Sequence, residues 1–175
     1  MLNGGSSSGK SAIARRLQDV LPEAWLSLSV DTFVDALPAA LQEGGEGLTI
    51  SADGEVTVGP EFTVLDAAWL AGVAAMARAG AHVVVDDVFL GGPHSQARWA
   101  RALEGLDVLW VGVRCEPDVA AAREAARGDR VAGMAVKQAA AVHDGVAYDL
   151  EVDTTHTGPA ACAAAVAAFA AGRRP

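Results

Sequence analysis

GGSSSGKS, residues 4–11, decides how the rest of the chain is read. Gly4, Gly9, Lys10 and Ser11 fall on the spacing G-x-x-x-x-G-K-[ST], with Gly5, Ser6, Ser7 and Ser8 between them. Glycines let backbone N–H groups turn inward and approach phosphate oxygens with no Cβ in the way. The next segment, SAIARRLQDVL, has the apolar spacing of an amphipathic helix, and its positive N-terminal end points at the same place. In such a cradle Lys10 puts a point charge on the β- and γ-phosphates of ATP, and Ser11 offers a hydroxyl to Mg²⁺. A flexible Ser/Gly linker is the competing reading. Lysine occurs only at positions 10 and 137, and a linker is not followed at once by an amphipathic helix. The cradle reading is therefore preferred. A cradle of this kind hangs from a buried strand, which usually needs about five residues. Only Met1 and Leu2 precede Asn3. The expectation is a shortened first strand, or a start upstream of this one.

The composition sets the frame around this motif. At 175 residues the chain reads as one domain, 1–175. The formal net charge is -9, and no Lys/Arg cluster interrupts it, so nucleic acid is not an expected partner. Cys115 and Cys162 lack the spacing of a metal site and are too few for a disulfide framework, so reduced, partly buried thiols are expected. His82, His94, His143 and His156 show no HxxxH or HExxH spacing and read as structural or solvent-facing. No signal peptide is visible. GPAACAAAVAAFAAG, 158–172, is short for a membrane span and reads as a packed terminal helix. A cytoplasmic protein with no membrane partner is expected.

Apolar runs alternate with helix-period segments along the chain. Strands are expected at 26–31, 81–87, 106–115 and 148–155, the last nearer an edge. Helices are expected at 10–20, 32–42, 60–79, 94–104, 116–127, 131–142 and 158–171. Strands separated by helices suggest βαβ units and a parallel sheet covered on both faces. One insertion breaks the rhythm. In 46–62 the runs LTIS and EVTV flank Asp53-Gly54, a hairpin signal. The hairpin is either a flap facing a substrate or a plain surface feature.

Three further places bear on chemistry. HVVVDDVF, 82–89, is an apolar strand ending in acids, which would deliver Asp86 and Asp87 to the edge where the cradle opens. Either can hold Mg²⁺, with Asp86 the first choice; both can instead be strand-end acids capping the next turn. Asp31 ends LSLSVD. It suits a carboxylate that orients an acceptor hydroxyl and takes its proton, or the N-cap of the following helix. Arg123, Arg127 and Arg130 are spaced four and three apart before and within RGDR. They suit a lid, 116–142, that clamps a transferring phosphoryl group, or a solvated face with pairs such as Glu124 to Arg127.

With these motifs in view, the chain resembles the chloramphenicol 3-O-phosphotransferases, small P-loop kinases. The resemblance covers essentially the whole sequence through LNGGSSSGKS, the VD of SVDTFVDALP, the hairpin into VGPEF, DDVFLGG, LDVLWVGVRC, ARGDRVAGMA and YDLEVDTTH. It implies an α/β P-loop kinase fold similar to shikimate and nucleoside-monophosphate kinases, with a five-stranded parallel sheet. It also implies ATP- and Mg²⁺-dependent phosphorylation of the primary hydroxyl of chloramphenicol, giving antibiotic resistance. Lys10 and Ser11 match the phosphate and Mg²⁺ contacts, Asp31 the proposed base, and Arg127 and Arg130 the phosphate-contacting lid arginines. The stretch 38–48, PAALQEGGEGL, departs from the family pattern near the acceptor.

The reading is thus a kinase acting on a small hydroxyl. Lys10, Asp31, Arg127 and Arg130 are the expected catalytic set. ATP is held by residues 4–11 with Arg123 and Arg127, and the metal by Ser11 with Asp86 or Asp87. Phe33, Phe62 and Trp69 are expected either as apolar acceptor contacts or as core. Rival readings are a kinase of shikimate, gluconate or a nucleotide, and a non-enzymatic ATP-binding module. Residues 31–50 contain no Lys or Arg, which favours a largely neutral acceptor.

Overall fold

The apolar runs of the central strands are buried on both faces, as a parallel sheet between helices requires. The computed structural model describes residues 1–42, 45–127 and 133–173. In chain order the elements begin with β1 (Leu2–Asn3), α1 (Lys10–Val20), β2 (Trp25–Ser29), α2 (Val30–Ala36) and α3 (Ala39–Gln42). The hairpin β3 (Leu48–Ile50) and β4 (Val56–Val58) follows, then α4 (Pro60–Arg78), β5 (His82–Asp87) and α5 (Pro93–Ala102). β6 (Val111–Arg114), α6 (Pro117–Arg127), α7 (Met134–Ala141), β7 (Leu150–Asp153) and α8 (Pro159–Arg173) complete the described chain.

Five strands form one parallel sheet in the order β2-β5-β1-β6-β7. β1 is central and β7 lies at an edge, as the alternating pattern of its sequence suggested. On one face Leu2, Val84, Val111 and Val113 pack with Ile13 and Leu17 of α1 and Val166 of α8. On the other, Val85 and Phe89 pack with Val73 of α4 and Trp99 of α5. The 81–87 run splits between these faces by the two-residue period of a strand. The two cysteines are free and buried. No helix among the described residues is long and apolar enough to cross a membrane.

Three expectations need correction. The single helix at 32–42 is two helices, α2 and α3, because Pro38 cannot donate into a continuing ladder. Strand 26–31 ends at Ser29, and Val30 and Asp31 already belong to α2. Strand 106–115 shrinks to Val111–Arg114, because the ladder with β1 stops where Val111 N donates to Met1 O. β1 itself is two residues, held by pairing on both sides and by burial of Leu2 and Asn3. The β3–β4 hairpin forms as expected, with Leu48 opposite Val58 and Ile50 opposite Val56.

Candidate active site

The phosphate cradle is a turn that only its own sequence tolerates. Gly9 sits in the left-handed region at φ 95° and caps α1, with no side-chain cap and no acid in the first turn. The leading N–H groups of α1 are thereby left open to an anion. A Cβ at Gly4 would lie 2.6 Å from the carbonyl oxygen of Val113 and 2.8 Å from Ser8 Oγ. Ser7 also adopts a positive φ, 56°. The buried hydroxyls of Ser7 and Ser8 find no hydrogen-bond partner among the described residues. Buried orphan hydroxyls beside open helix N–H groups fit phosphate oxygens. Lys10 is buried, and its Nζ donates to Gly5 O at 2.9 Å inside the loop.

Of Asp86, Asp87 and Asp31, two meet this loop. Asp86 is buried at the C-terminal end of β5 and hydrogen-bonds the Ser11 side chain. Burial pushes its carboxyl up, opposed by Lys10 and by the Ser11 bond, while the charge of Asp31 adds to the rise. The structure therefore gathers Lys10, Ser11, Asp86 and Asp31 at one end of the sheet. Asp87 faces the other way. Its Oδ2 accepts from Trp99 Nε1 at 2.5 Å and its Oδ1 from Val88 N at 2.7 Å. Burial raises the Asp87 carboxyl, opposed by those two bonds. Asp31 is not the N-cap. Ser29 is, accepting from Thr32 N at 3.0 Å, and Asp31 is the second residue of α2. Ser29 sits at the β2–α2 junction in extended backbone, the conformation a cap requires.

Of the expected arginines, Arg123 and Arg127 lie on α6, and Arg130 lies outside the described residues. Arg123 is built into the frame. It donates to Thr154 O at 2.6 Å, Thr154 Oγ1 at 3.2 Å and Cys115 Sγ at 3.3 Å. Thr154 Oγ1 in turn donates to Ser8 O at 2.7 Å, so one arginine steadies the cradle through one threonine. Arg123 also lines a cleft of about 460 Å³ with Gly9, Ala12, Thr154 and Pro159. Arg127 ends α6 on the surface. Glu124 is buried, and its two oxygens accept from Gly133 N at 2.9 Å and Ala135 N at 2.8 Å, capping α7.

Phe33 and Phe62 are buried in a cluster with Leu37, against which Trp69 is half-buried. Phe33 meets Phe62 edge-on at 5.1 Å and lies 5.7 Å from Trp69. The cluster fixes α2, and with it Asp31, against α4.

Several site residues were invisible to motif reading. Gln138 Oε1 accepts from Ser6 N at 2.8 Å, pinning α7 to the cradle. Asn3 donates to Val142 O at 2.7 Å and Tyr148 Oη at 2.6 Å, and accepts from Phe89 N at 2.9 Å. His143 Nδ1 lies 2.7 Å from the same tyrosine oxygen. Burial holds the His143 imidazole down to about 4, so it is neutral near pH 7. Asn3, a buried polar residue of β1 next to the motif, is the signal that could have found this hub.

Comparison with known proteins gives the family and the fold. A 173-residue alignment with "Putative O-phosphotransferase" of Mycobacterium tuberculosis H37Rv is 32% identical and covers 90% of this chain and 75% of that protein. The fold is similar to a gluconokinase from Sinorhizobium meliloti 1021, with TM-score 0.64 and 18% identity over 98% of this chain and 90% of that one. A shikimate kinase from Acinetobacter baumannii aligns with TM-score 0.59 and 13% identity, over 99% and 92% of the two chains. The tunicamycin resistance protein of Deinococcus radiodurans aligns with TM-score 0.65 and 18% identity, over 97% and 93%. The family model described as chloramphenicol phosphotransferase-like protein matches residues 1–171. The chain belongs to the chloramphenicol phosphotransferase-like family and is a small-molecule O-phosphotransferase on a P-loop kinase fold.

Proposed function

We propose that the protein transfers the γ-phosphoryl group of ATP to a neutral small molecule through a primary hydroxyl, with the 3-hydroxyl of chloramphenicol as the leading acceptor. The carrying observation is the convergence of Lys10, Ser11, Asp86 and Asp31 at one sheet end, beside a segment, 31–50, with no Lys or Arg to hold an anionic acceptor.

The chain's own groups divide the work. Residues 4–11 hold the phosphates through backbone N–H groups and the Lys10 charge. The cleft between Gly9, Arg123 and Pro159 takes the nucleobase, with the planar Arg123 guanidinium as one of its walls. Asp31 accepts a hydrogen bond from the acceptor hydroxyl, orients it towards the γ-phosphorus and takes its proton as the P–O bond forms. Arg127 and Arg130 spread the charge that develops on the transferring group. Asp86 and Ser11 are the pair placed to hold Mg²⁺. When bound, the ion supplies positive charge against the phosphate oxygens. Asp87 is committed to Trp99 and Val88 and is not assigned to the metal.

The test is an acceptor panel. Purified protein is incubated with ATP and Mg²⁺ plus chloramphenicol, gluconate or shikimate, and each acceptor is followed by mass. The reading expects a single phosphoryl addition to chloramphenicol and none to the two anions. Phosphorylation of an anion with chloramphenicol left unmodified would overturn the acceptor assignment.

A further inference from the structure

The β3–β4 hairpin starts beside the helix of Asp31 and ends on α7, beyond the phosphate loop. At its base Gly59 N donates to Gly47 O at 2.7 Å, and Leu48 packs on the Phe33 and Phe62 cluster. At its tip Lys137 Nζ lies 2.5 Å from Asp53 Oδ2. Gly54, at φ +81°, presses so closely on α7 that a Cβ there would meet Met134 N at 2.7 Å. α2 follows β2 and α7 follows β6, and these strands stand three places apart in the order β2-β5-β1-β6-β7. At about 4.8 Å per strand that is ~14 Å. A run of six residues from the base to the tip reaches ~20 Å in extended form. The hairpin thus has the reach to cross the sheet end where Lys10, Asp86 and Asp31 converge.

Both ends of the contact are pre-formed. Ser51 organises the tip: its N donates to Glu55 O at 2.9 Å, its O accepts from Gly54 N at 2.9 Å, and its Oγ accepts from Glu55 N at 3.0 Å. On the other side, Glu124 caps α7 and Gln138 holds Ser6 N. Met134, Lys137 and Gln138 are three and four residues apart, so one helical face carries both the hairpin contact and the cradle contact.

We propose that Asp53, Lys137 and Gln138 are positioning residues that make α7 a coupler, linking the hairpin over the acceptor side to the state of the phosphate loop. The proposal rests on the placement of ATP phosphates in residues 4–11. Coupling of this kind is reciprocal: a nucleotide that steadies Ser6 and α7 steadies the hairpin tip, and a closed tip favours the nucleotide. A contact that serves only to staple the surface has no such dependence.

The experiment follows amide hydrogen exchange at Gly54 and Glu55 in the full chain, with and without Mg²⁺ and a non-hydrolysable ATP analogue. Calorimetry on the same samples reports binding of the analogue. In the wild type, saturation is expected to slow exchange at both amides by at least about fivefold, the low end of ordinary coupling. Lys137→Met and Gln138→Leu are expected to lose that response, and Asp53→Lys combined with Lys137→Asp to regain it. Because the coupling is reciprocal, Lys137→Met alone is expected to weaken binding of the analogue in calorimetry by a similar factor, about fivefold, while still binding it at saturation. Lys137 and Asp53 are 45% and 67% exposed, so the changes at these two positions leave the fold intact. Bound analogue with no change at Gly54 and Glu55 would overturn the coupling alone. A full response in Lys137→Met would do the same. Failure of the wild type to bind the analogue would overturn the nucleotide site together with the coupling built on it.

Discussion

Asp86 and Asp87 are neighbours on β5 whose carboxylates serve opposite faces of the sheet. Asp86 shares a face with Val84 and reaches Ser11 at the start of α1. Asp87 shares a face with Val85 and is held by Trp99 Nε1 at 2.5 Å. Two chemically identical side chains thus have separable roles. Asp86→Asn is expected to lower kcat by about a hundredfold or more while leaving the fold in place. Asp87→Ala leaves the Trp99 and Val88 N–H groups without their acceptor and is expected to cost about 1–3 kcal/mol of stability. Steady-state kinetics and urea unfolding on both variants check the division. Equal losses of kcat in the two would contradict it.

Gly4 tolerates no side chain. The nearest obstacle to a Cβ is a backbone oxygen, Val113 O at 2.6 Å, which cannot swing aside as a flexible side chain can. Gly4→Ala is expected to lose about 3 kcal/mol and to weaken ATP binding, because the cradle and β6 must separate to admit the methyl group. Thermal unfolding and nucleotide titration read the two effects.

Arg123 acts through its fork. Three acceptors surround it, and Thr154 carries its effect to Ser8 O. A lysine supplies the charge without the planar pair of donors. Arg123→Lys is expected to raise KM for ATP about tenfold with kcat little changed, since the residue shapes nucleotide binding more than the transfer step. A loss confined to kcat would instead place it at the transferring phosphoryl group.

In a chain that starts at Met1, the amino group of that residue sets a pH dependence. It donates to Leu109 O at 2.9 Å, beside an apolar cleft of about 460 Å³ lined by Leu17, Val84, Leu106 and Val166. Burial pulls it down from 8.0 to about 5, with Asp149 opposing. As pH falls through 8 the unfolded chain takes up a proton that the folded chain refuses until about 5. The unfolded state therefore binds more protons across that window, and stability falls from pH 8 to 5. Nα-acetylated protein lacks the group, so its stability advantage grows over the same interval to the order of a few kcal/mol. His143, held down to about 4, adds a fall of the same sign below its ordinary 6.5 in both forms and cancels in the comparison. Matched urea titrations at several pH values check the difference.

The parts legible in the sequence were those in which local chemistry and global fold ask for the same residues. GGSSSGKS demanded a cradle and α1, the β-branched run before Asp86 demanded a buried strand, and Asp53-Gly54 demanded a hairpin turn. Which aspartate faced the cradle was hidden, because alternation along β5 fixes opposite faces but not which face meets α1. Ser29, not Asp31, takes the capping role that was the alternative reading of Asp31, because the strand ends two residues early, a boundary that side-chain pattern does not fix. Gln138 and Thr154 went unseen, and Glu124 was read as part of a solvated face though it is buried, because their partners are backbone atoms, which leave no mark in the residue pattern.

The central proposal is that Asp31, whose charge acts on Asp86 at the sheet end, activates a neutral acceptor hydroxyl. The most direct measurement is acceptor-dependent ADP release with saturating ATP and Mg²⁺, with and without chloramphenicol, in the wild type and in Asp31→Asn. The account predicts release in the wild type that depends on chloramphenicol and matches phosphorylated product one for one. It predicts a fall of about 10²–10⁴ in kcat for Asp31→Asn, with ATP affinity retained. Wild-type turnover of chloramphenicol in Asp31→Asn, or ADP release indifferent to the acceptor, would contradict it.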